Sequence, residues 1–228
     1  ADELIREAGK RKTILQVGHL ERFNAAVIAA EGIVSKPSFI ECHRLSPFPN
    51  RSTDVDVILD VMIHDIDIIM NFVKSEIESV DAVGMPVITD KADIANARLR
   101  FTNGCIASVT ASRVSNERAR RITLFQRDAY IAIDYANQNM AVFRKASPKN
   151  GETPYIMEED VKIKKNDILL EEIKAFVNSV ITRNTPLVSG EGGRRALKAA
   201  QMIQKEVRSQ ESRVKTKHMR DSLLTSDL

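Results

Sequence analysis

One histidine and three aspartates interrupt an otherwise apolar stretch, ILDVMIHDID, at residues 58–67. Titratable groups are costly to bury, so a run suited to a helix core carries them for a reason. Asp60 and His64 stand four residues apart and share a face if the stretch is helical. A carboxylate beside an imidazole fixes its tautomer and raises its basicity, which suits general acid–base chemistry. The same spacing also suits a plain helix-stabilising pair worth roughly 0.2–0.5 kcal/mol, and spacing does not separate the two. Asp67 reads as a cap or as the partner of a distant base, and Asp65 as a residue facing water. A metal reading would join Asp60 and His64 to His43, but these positions have no recognisable ligand spacing, so no metal is expected.

A second constellation is GHLERFN, residues 18–24, directly after the apolar run TILQVG. In open α/β sheets, ligands bind beyond the carboxyl ends of strands. His19, Arg22 and Asn24 are therefore placed to touch a ligand, unless this is a polar loop whose Arg22 makes an ordinary salt bridge. Arg113, Arg118, Arg120 and Arg121 form a late basic cluster. Guanidinium forks suit phosphate oxygens, and the same residues also protect solvated strand edges from aggregation.

The elements that must position these groups are legible from periodicity. DELIREAGKR has apolar residues at helical spacing, with acids early and bases late; TILQVG then reads as a buried strand. NAAVIAAEGIV, 24–34, reads as a helix capped by Asn24, and FIECHRLS as a strand. A helix is expected over about 54–73, with Val57, Val61, Ile68 and Phe72 on its apolar stripe. From 77 to 145 the chain becomes a series of short strands with short polar breaks, including an Asn103-Gly104 hairpin signal. Breaks that short predict antiparallel neighbours. Helices follow at about 167–182 and 190–210, then a sparsely apolar tail. The fold class is thus α+β: a large antiparallel sheet with helices on one face, preceded by the last piece of an α/β domain. Ile106, Phe125, Ile131 and Ile133 offer apolar positions on the uncovered sheet face for a homodimer or homotetramer.

At 43% hydrophobic and 29% charged residues, the 228-residue chain is in the globular range. A net charge of +3 and an aromatic content of 5% give no call for nucleic acid as a partner. No apolar run approaches the roughly 20 residues of a spanning helix, so no membrane is expected. Cys42 and Cys105, without Cys-x-x-Cys spacing or a signal-peptide pattern, suit a reducing, cytoplasmic setting.

VGHLERFN, LDVMIHDIDIIMNF, NDILLEEIKAFVNSV and VSGEGGRRALKAAQ, in this order, resemble the Gfo/Idh/MocA family of NAD(P)-dependent oxidoreductases. The resemblance runs from residue 1 to about 208. Its most specific element is Asp-x-x-x-His followed by Asp-x-Asp. It implies that His64 is the catalytic base beside the reacting hydroxyl, with Asp60 as its helix partner and an NAD or NADP nicotinamide taking the hydride. It further implies candidate substrate contacts at Arg22, Asn24, Arg44 and Arg113, and a cofactor contact at His19. GHLERFN with DVDVILDVMIHDID looks most like the branch that oxidises a sugar-nucleotide hydroxyl, UDP-N-acetylglucosamine at C3.

The pattern departs from the family in two respects. Neither Gly-x-Gly-x-x-Gly nor Glu-Lys-Pro occurs in the chain, and RSTDVDV stands where the family has a glycine-rich turn. The resemblance then implies three segments. Residues 1–18 are the last helix and strand of a truncated Rossmann domain, 19–210 a substrate and oligomerisation domain, and 211–228 a tail. The fragment alone is expected to be inactive. Two rival readings remain: a non-catalytic substrate-binding or oligomerisation module, and an HD phosphohydrolase, whose all-helical fold conflicts with the strand-rich half.

Overall fold

The structure, a computed structural model, describes residues 1–49, 54–146 and 153–225. Residues 51–53 of RSTDVDV and the last three of the tail lie outside the described residues. Helix α1, Asp2–Arg11, has Asp2 and Glu3 in its first turn and Lys10 and Arg11 in its last, as the helix dipole favours. The strand expected at TILQVG is reduced to one bridge, Gln16 to Ser189, with Val17 N–H donating to Val188 O at 2.9 Å. A strand exists only where a neighbour takes its hydrogen bonds, and the described residues supply one such contact.

A 3₁₀ turn, Leu20–Phe23, leads into α2, Ala25–Glu31, which ends at Gly32, a few residues earlier than expected. Asn24 caps α2 by accepting from Ala26 N–H at 3.1 Å. Eight strands follow the expected segments, with one unforeseen addition at the end. They are β1 Pro37–Leu45, β2 Ile77–Met85, β3 Ile94–Phe101, β4 Ile106–Ser112, β5 Ala119–Gln126, β6 Ala129–Asp134, β7 Asn139–Ala146 and β8 Tyr155–Glu159. They form one sheet in the order β2-β3-β4-β1-β5-β6-β7-β8.

The expectation of an unbroken antiparallel array over 77–145 needs correction. β1 lies between β4 and β5 and runs parallel to β4. Every other pairing is antiparallel. The chain leaves β1 and passes through a helix and two strands before it returns as β4, a connection long enough for a parallel neighbour. The hairpin at Asn103-Gly104 does form, but as a three-residue loop. Gly104 N–H donates to Phe101 O, and Gly104 alone in the loop has positive φ, 86°. That is a type I turn closed by a left-handed glycine, not a two-residue primed turn.

Alternation along β1 assigns the two sheet faces. Ile40, Cys42 and Arg44 are buried under the helices, and Phe39, Glu41 and His43 face the other way. On that other face Phe39, Phe125, Tyr130 and Phe143 stand in register, with neighbouring ring centroids 5.7, 5.1 and 5.3 Å apart. Ile131 and Ile133 do not join this row. They are buried on the helix side, because each sits one residue out of phase with Tyr130.

The helix expected over 54–73 begins as a π-helical turn, Ile58–Met62, and continues as α3, Ile63–Val73. Ile58, Met62, Ile66 and Ile69 are fully buried, and each stabilises by roughly 1.5–3 kcal/mol. Helix α4, Ile168–Thr182, is inside out: Glu172 and Ser179 are buried, while Leu169, Ile173, Val177, Val180 and Ile181 are exposed. Helix α5, Gly190–Thr225, lays Ala196, Ala200, Ile203 and Val207 against β2 and α3 and runs past 210, where a tail was expected. No glycine or proline after Gly193 interrupts it. Among the described residues no helix is long and apolar enough to cross a membrane.

The glycines of VSGEGGRR allow α5 to touch the 13–17 segment. A Cβ on Gly193 would lie 2.6 Å from Val17 Cγ2 and 3.1 Å from Val17 Cβ, an atom that rotation of χ1 cannot move. Alanine favours helix interiors over glycine by about 1 kcal/mol, but overpacking costs about 1–3 kcal/mol. Gly193→Ala should therefore lower the urea midpoint despite its better helix propensity. An unchanged or raised midpoint would mean that this contact yields freely.

Candidate active site

His64 sits in the first turn of α3, and the π-helical turn before it determines where that helix points. Asp56 starts the turn. Its carboxylate accepts from the backbone N–H of Ile58 at 3.1 Å and Leu59 at 3.0 Å, and from Gln204 Nε2 at 2.6 Å. With the apolar face committed to the core, Asp60 and His64 are half-buried on the wall of a cleft of about 570 Å3. The cleft is closed by the 3₁₀ turn, the end of β1 and the start of β5, with Glu21, Phe48, Arg118 and Arg120 among its lining. π turns of this kind are frequent at functional sites.

The two other acids of the motif anchor α3. Asp65 does not face water: it is fully buried and receives Arg44 as a fork, with Nε to Oδ2 and Nη2 to Oδ1 both 2.7 Å. Arg44 Nη1 also donates to Glu21 Oε1 at 3.2 Å, and the guanidinium lies 5.5 Å from the Tyr135 ring centroid. Burial works against the charge on Arg44, and Asp65 with Glu21 and Tyr135 together offset it, so the group stays a guanidinium. Asp67 pairs with Arg22 Nη1 at 3.4 Å, the distant base expected for it.

The His64 ring meets His19. Their Nδ1 atoms are 3.5 Å apart and the rings are edge to face, with centroids 5.4 Å apart. Burial lowers the His64 pKa below the ordinary 6.5, and repulsion from Arg44 and His19 adds to this against the opposing pull of Asp65 and Glu21. Burial likewise lowers that of His19, with Asp67 opposing and Arg22 assisting. Both rings are neutral near pH 7, so His64 is able to accept a proton there.

The remaining candidates are distributed unevenly. Arg44 is on the cleft wall, although its donors are occupied by Asp65 and Glu21. Arg22 lines a different, smaller pocket beside Gly192 and Arg195. Asn24 is fully buried and holds Glu21 Oε2 and Tyr135 O at 3.1 and 2.9 Å. His19, expected at a cofactor, is 5% exposed and turned towards His64.

Arg113 is fully buried, with Nε 2.8 Å from Asp93 Oδ1 and Nη1 2.9 Å from Val55 O, so it has no surface to offer a substrate. Burial would raise the Asp93 pKa. Three backbone amides, of Thr89, Ile88 and Val87, together with Arg113 hold it well below the usual carboxylate range instead.

Within the basic cluster, Arg118 and Arg120 reach the cleft, and Arg121 points to the opposite sheet face, in register with His43 and Asp134. Alternation along β5 separates Arg120 from Arg121, but only the β1–β5 register places Arg120 beside Arg44. Glu21 was readable as part of GHLERFN, and Phe48 had no signal beyond proximity in sequence.

A family model described as the GFO/IDH/MocA C-terminal domain matches residues 25–132. The chain is 36% identical over 204 residues to UDP-N-acetylglucosamine 3-dehydrogenase of Acidithiobacillus ferrooxidans, covering 89% of this chain and 65% of that protein. It is 28% identical over 217 residues to myo-inositol 2-dehydrogenase of Thermotoga maritima, covering 86% of this chain and 63% of the relative. A solved structure of the Acidithiobacillus ferrooxidans enzyme aligns with a TM-score of 0.85 at 35% identity, over 91% of this chain and 67% of that one. The chain thus spans less than two thirds of the length of these two curated relatives. In sequence and in fold alike, the chain belongs to the Gfo/Idh/MocA family and has the fold of its C-terminal domain.

Proposed function

We propose that this chain is the substrate-side part of a nicotinamide-dependent dehydrogenase that oxidises a sugar-nucleotide hydroxyl, with UDP-N-acetylglucosamine at C3 as the substrate. The observation that carries the reading is His64, an imidazole kept neutral on the wall of a cleft with Arg118 and Arg120 at its edge. The 36% identity to a UDP-N-acetylglucosamine 3-dehydrogenase supports the choice of substrate. Oxidation of a secondary alcohol sends a hydride from carbon and a proton from oxygen. His64 takes the proton, and Asp60, in the same cleft, orients the ring or shares the charge. Arg118 and Arg120 are exposed and suited to the diphosphate, beside the wall that Arg44 forms.

The cofactor, NAD or NADP, supplies the hydride acceptor when bound. This chain has no glycine-rich phosphate loop to hold it. The singly bridged 13–17 segment and the bare apolar face of α4 fit an edge against which a dinucleotide-binding domain packs. The aromatic row from Phe39 to Phe143 fits a second copy of the chain packed sheet to sheet, as a homodimer or within a homotetramer.

In a protein carrying this chain together with a cofactor domain, His64→Ala should lower kcat roughly 10²–10⁴-fold. Asp60→Asn should cost less, because the imidazole remains. Steady-state kinetics with UDP-N-acetylglucosamine decides it, and near-normal turnover by His64→Ala would sink the reading.

The acid limb of kcat/KM follows from the sign of the His64 shift. The base works only when neutral, and its pKa is depressed, so the limb should lie below pH 6.5. A limb at or above that value would contradict the assignment.

Light scattering at micromolar concentration should report a dimer or tetramer. A monomer would exclude the sheet-to-sheet contact.

A further inference from the structure

His19 is a buried titratable group in contact with His64 that the reaction above leaves unused. It lies behind His64, away from the cleft lining, and 5% of its surface is exposed. Two neutral imidazoles that meet Nδ1 to Nδ1 share one proton along that line. If both nitrogens were bare their lone pairs would repel, and if both were protonated their hydrogens would collide. One ring therefore donates and the other accepts, and the choice dictates what the donor ring presents on its far side.

We propose that His19 is the positioning residue of His64: its bare Nδ1 accepts from His64 Nδ1–H, which leaves Nε2 of His64 as the unprotonated nitrogen available to the cleft. This rests on the reading of His64 as a proton acceptor. With the bond reversed, His64 would carry its proton on Nε2 and face the hydroxyl as a donor, unable to take a proton from it. When His64 accepts the hydroxyl proton on Nε2 it becomes an imidazolium. Its Nδ1–H then donates to His19 as a charge-assisted bond, stronger than the neutral one. The device works only while His19 stays neutral.

The surroundings keep it so. His19 is closed in by burial and by Arg22, with Asp67 as the opposing charge. The groups facing His64 are Arg44 from β1, Asp65 from its own helix and Glu21 from the 3₁₀ turn, with Asp60 beside it on the π-helical turn and Arg118 and Arg120 also lining the cleft. Arg44, the cation that weighs most on His64, is a donor held by Asp65 and Glu21, and His19 Nδ1 is the nitrogen that stands against His64 Nδ1, 3.5 Å away.

The test is nitrogen NMR of the imidazoles in this 228-residue chain, where four histidines make assignment by single variants practical. At pH 7.5, His64 should show a protonated Nδ1 and a bare Nε2. His19→Asn, which keeps an acceptor oxygen near the position of Nδ1, should preserve that pattern, and His19→Leu should shift His64 towards the Nε2–H tautomer. A wild-type His64 that is already Nε2–H would overturn the proposal without recourse to any variant. So would a tautomer indifferent to His19→Leu. In the longer enzyme, His19→Leu should lower kcat roughly tenfold or more with KM little changed, and His19→Asn should recover most of it. If His64→Ala stays active, the assigned reaction fails. If His64→Ala is inactive but the tautomer is reversed, only the role of His19 fails.

Discussion

The buried fork between Arg44 and Asp65 is the contact on which the site geometry depends. Asp65 is fully buried and Arg44 nearly so, with both of the fork's bonds at 2.7 Å. Burying two charges is costly, and a pair of this kind need not add net stability. It does fix geometry: removing one partner strands the other, at a cost on the order of 3–5 kcal/mol. The fork ties the first turn of α3 to the centre of the sheet, where β1 lies between β4 and β5. His64 is the residue before Asp65, so its position follows from this anchor.

From that anchor the network extends outwards in order of need. Arg44 also holds Glu21, Glu21 accepts from Asn24, and Asn24 caps α2 and bonds Tyr135 O. Arg22, in the 3₁₀ turn that carries Glu21, pairs with Asp67, two residues beyond Asp65 on α3. Two acids on one helix therefore bind two arginines on two other elements, and GHLERFN and the motif at 58–67 lock together. His19 and His64 meet because these ion pairs bring their segments into register. The cleft is then polar where chemistry needs it, and the apolar face of α3 remains entirely in the core.

The same fold leaves two surfaces uncovered for different reasons. Helix α4 is apolar on its outer side and buries Glu172 and Ser179 on its inner side, the reverse of a helix that serves only this core. The open sheet face alternates correctly for a two-sided sheet but carries a row of rings alongside its charged residues Glu41, Arg121 and Asp134. Solvated sheet faces are usually polar, so the composition of each surface is itself information about what covers it.

Much of this was written in local pattern. The strands between 77 and 145, the caps at Asn24 and the hairpin at Asn103-Gly104 follow from alternation, side-chain hydrogen bonding and turn chemistry, all of which act over a few residues. Asp60 and His64 stood out because titratable groups in an apolar helix are costly to bury, although their spacing suits a plain helix-stabilising pair as well as a catalytic one. Pairings between distant segments were not legible. Neither the insertion of β1 beside β4, nor the partners of Asp65 and Asp67, nor the meeting of His19 with His64 leaves a trace in spacing. Burial of Arg113 and the inward direction of Ile131 and Ile133 depend on which face of the sheet the helices cover. Local periodicity specifies which residues form elements and which groups can carry charge into the core. Which of those groups face one another follows from packing, because ion pairs and ring contacts across tens of residues have no counterpart in spacing along the chain.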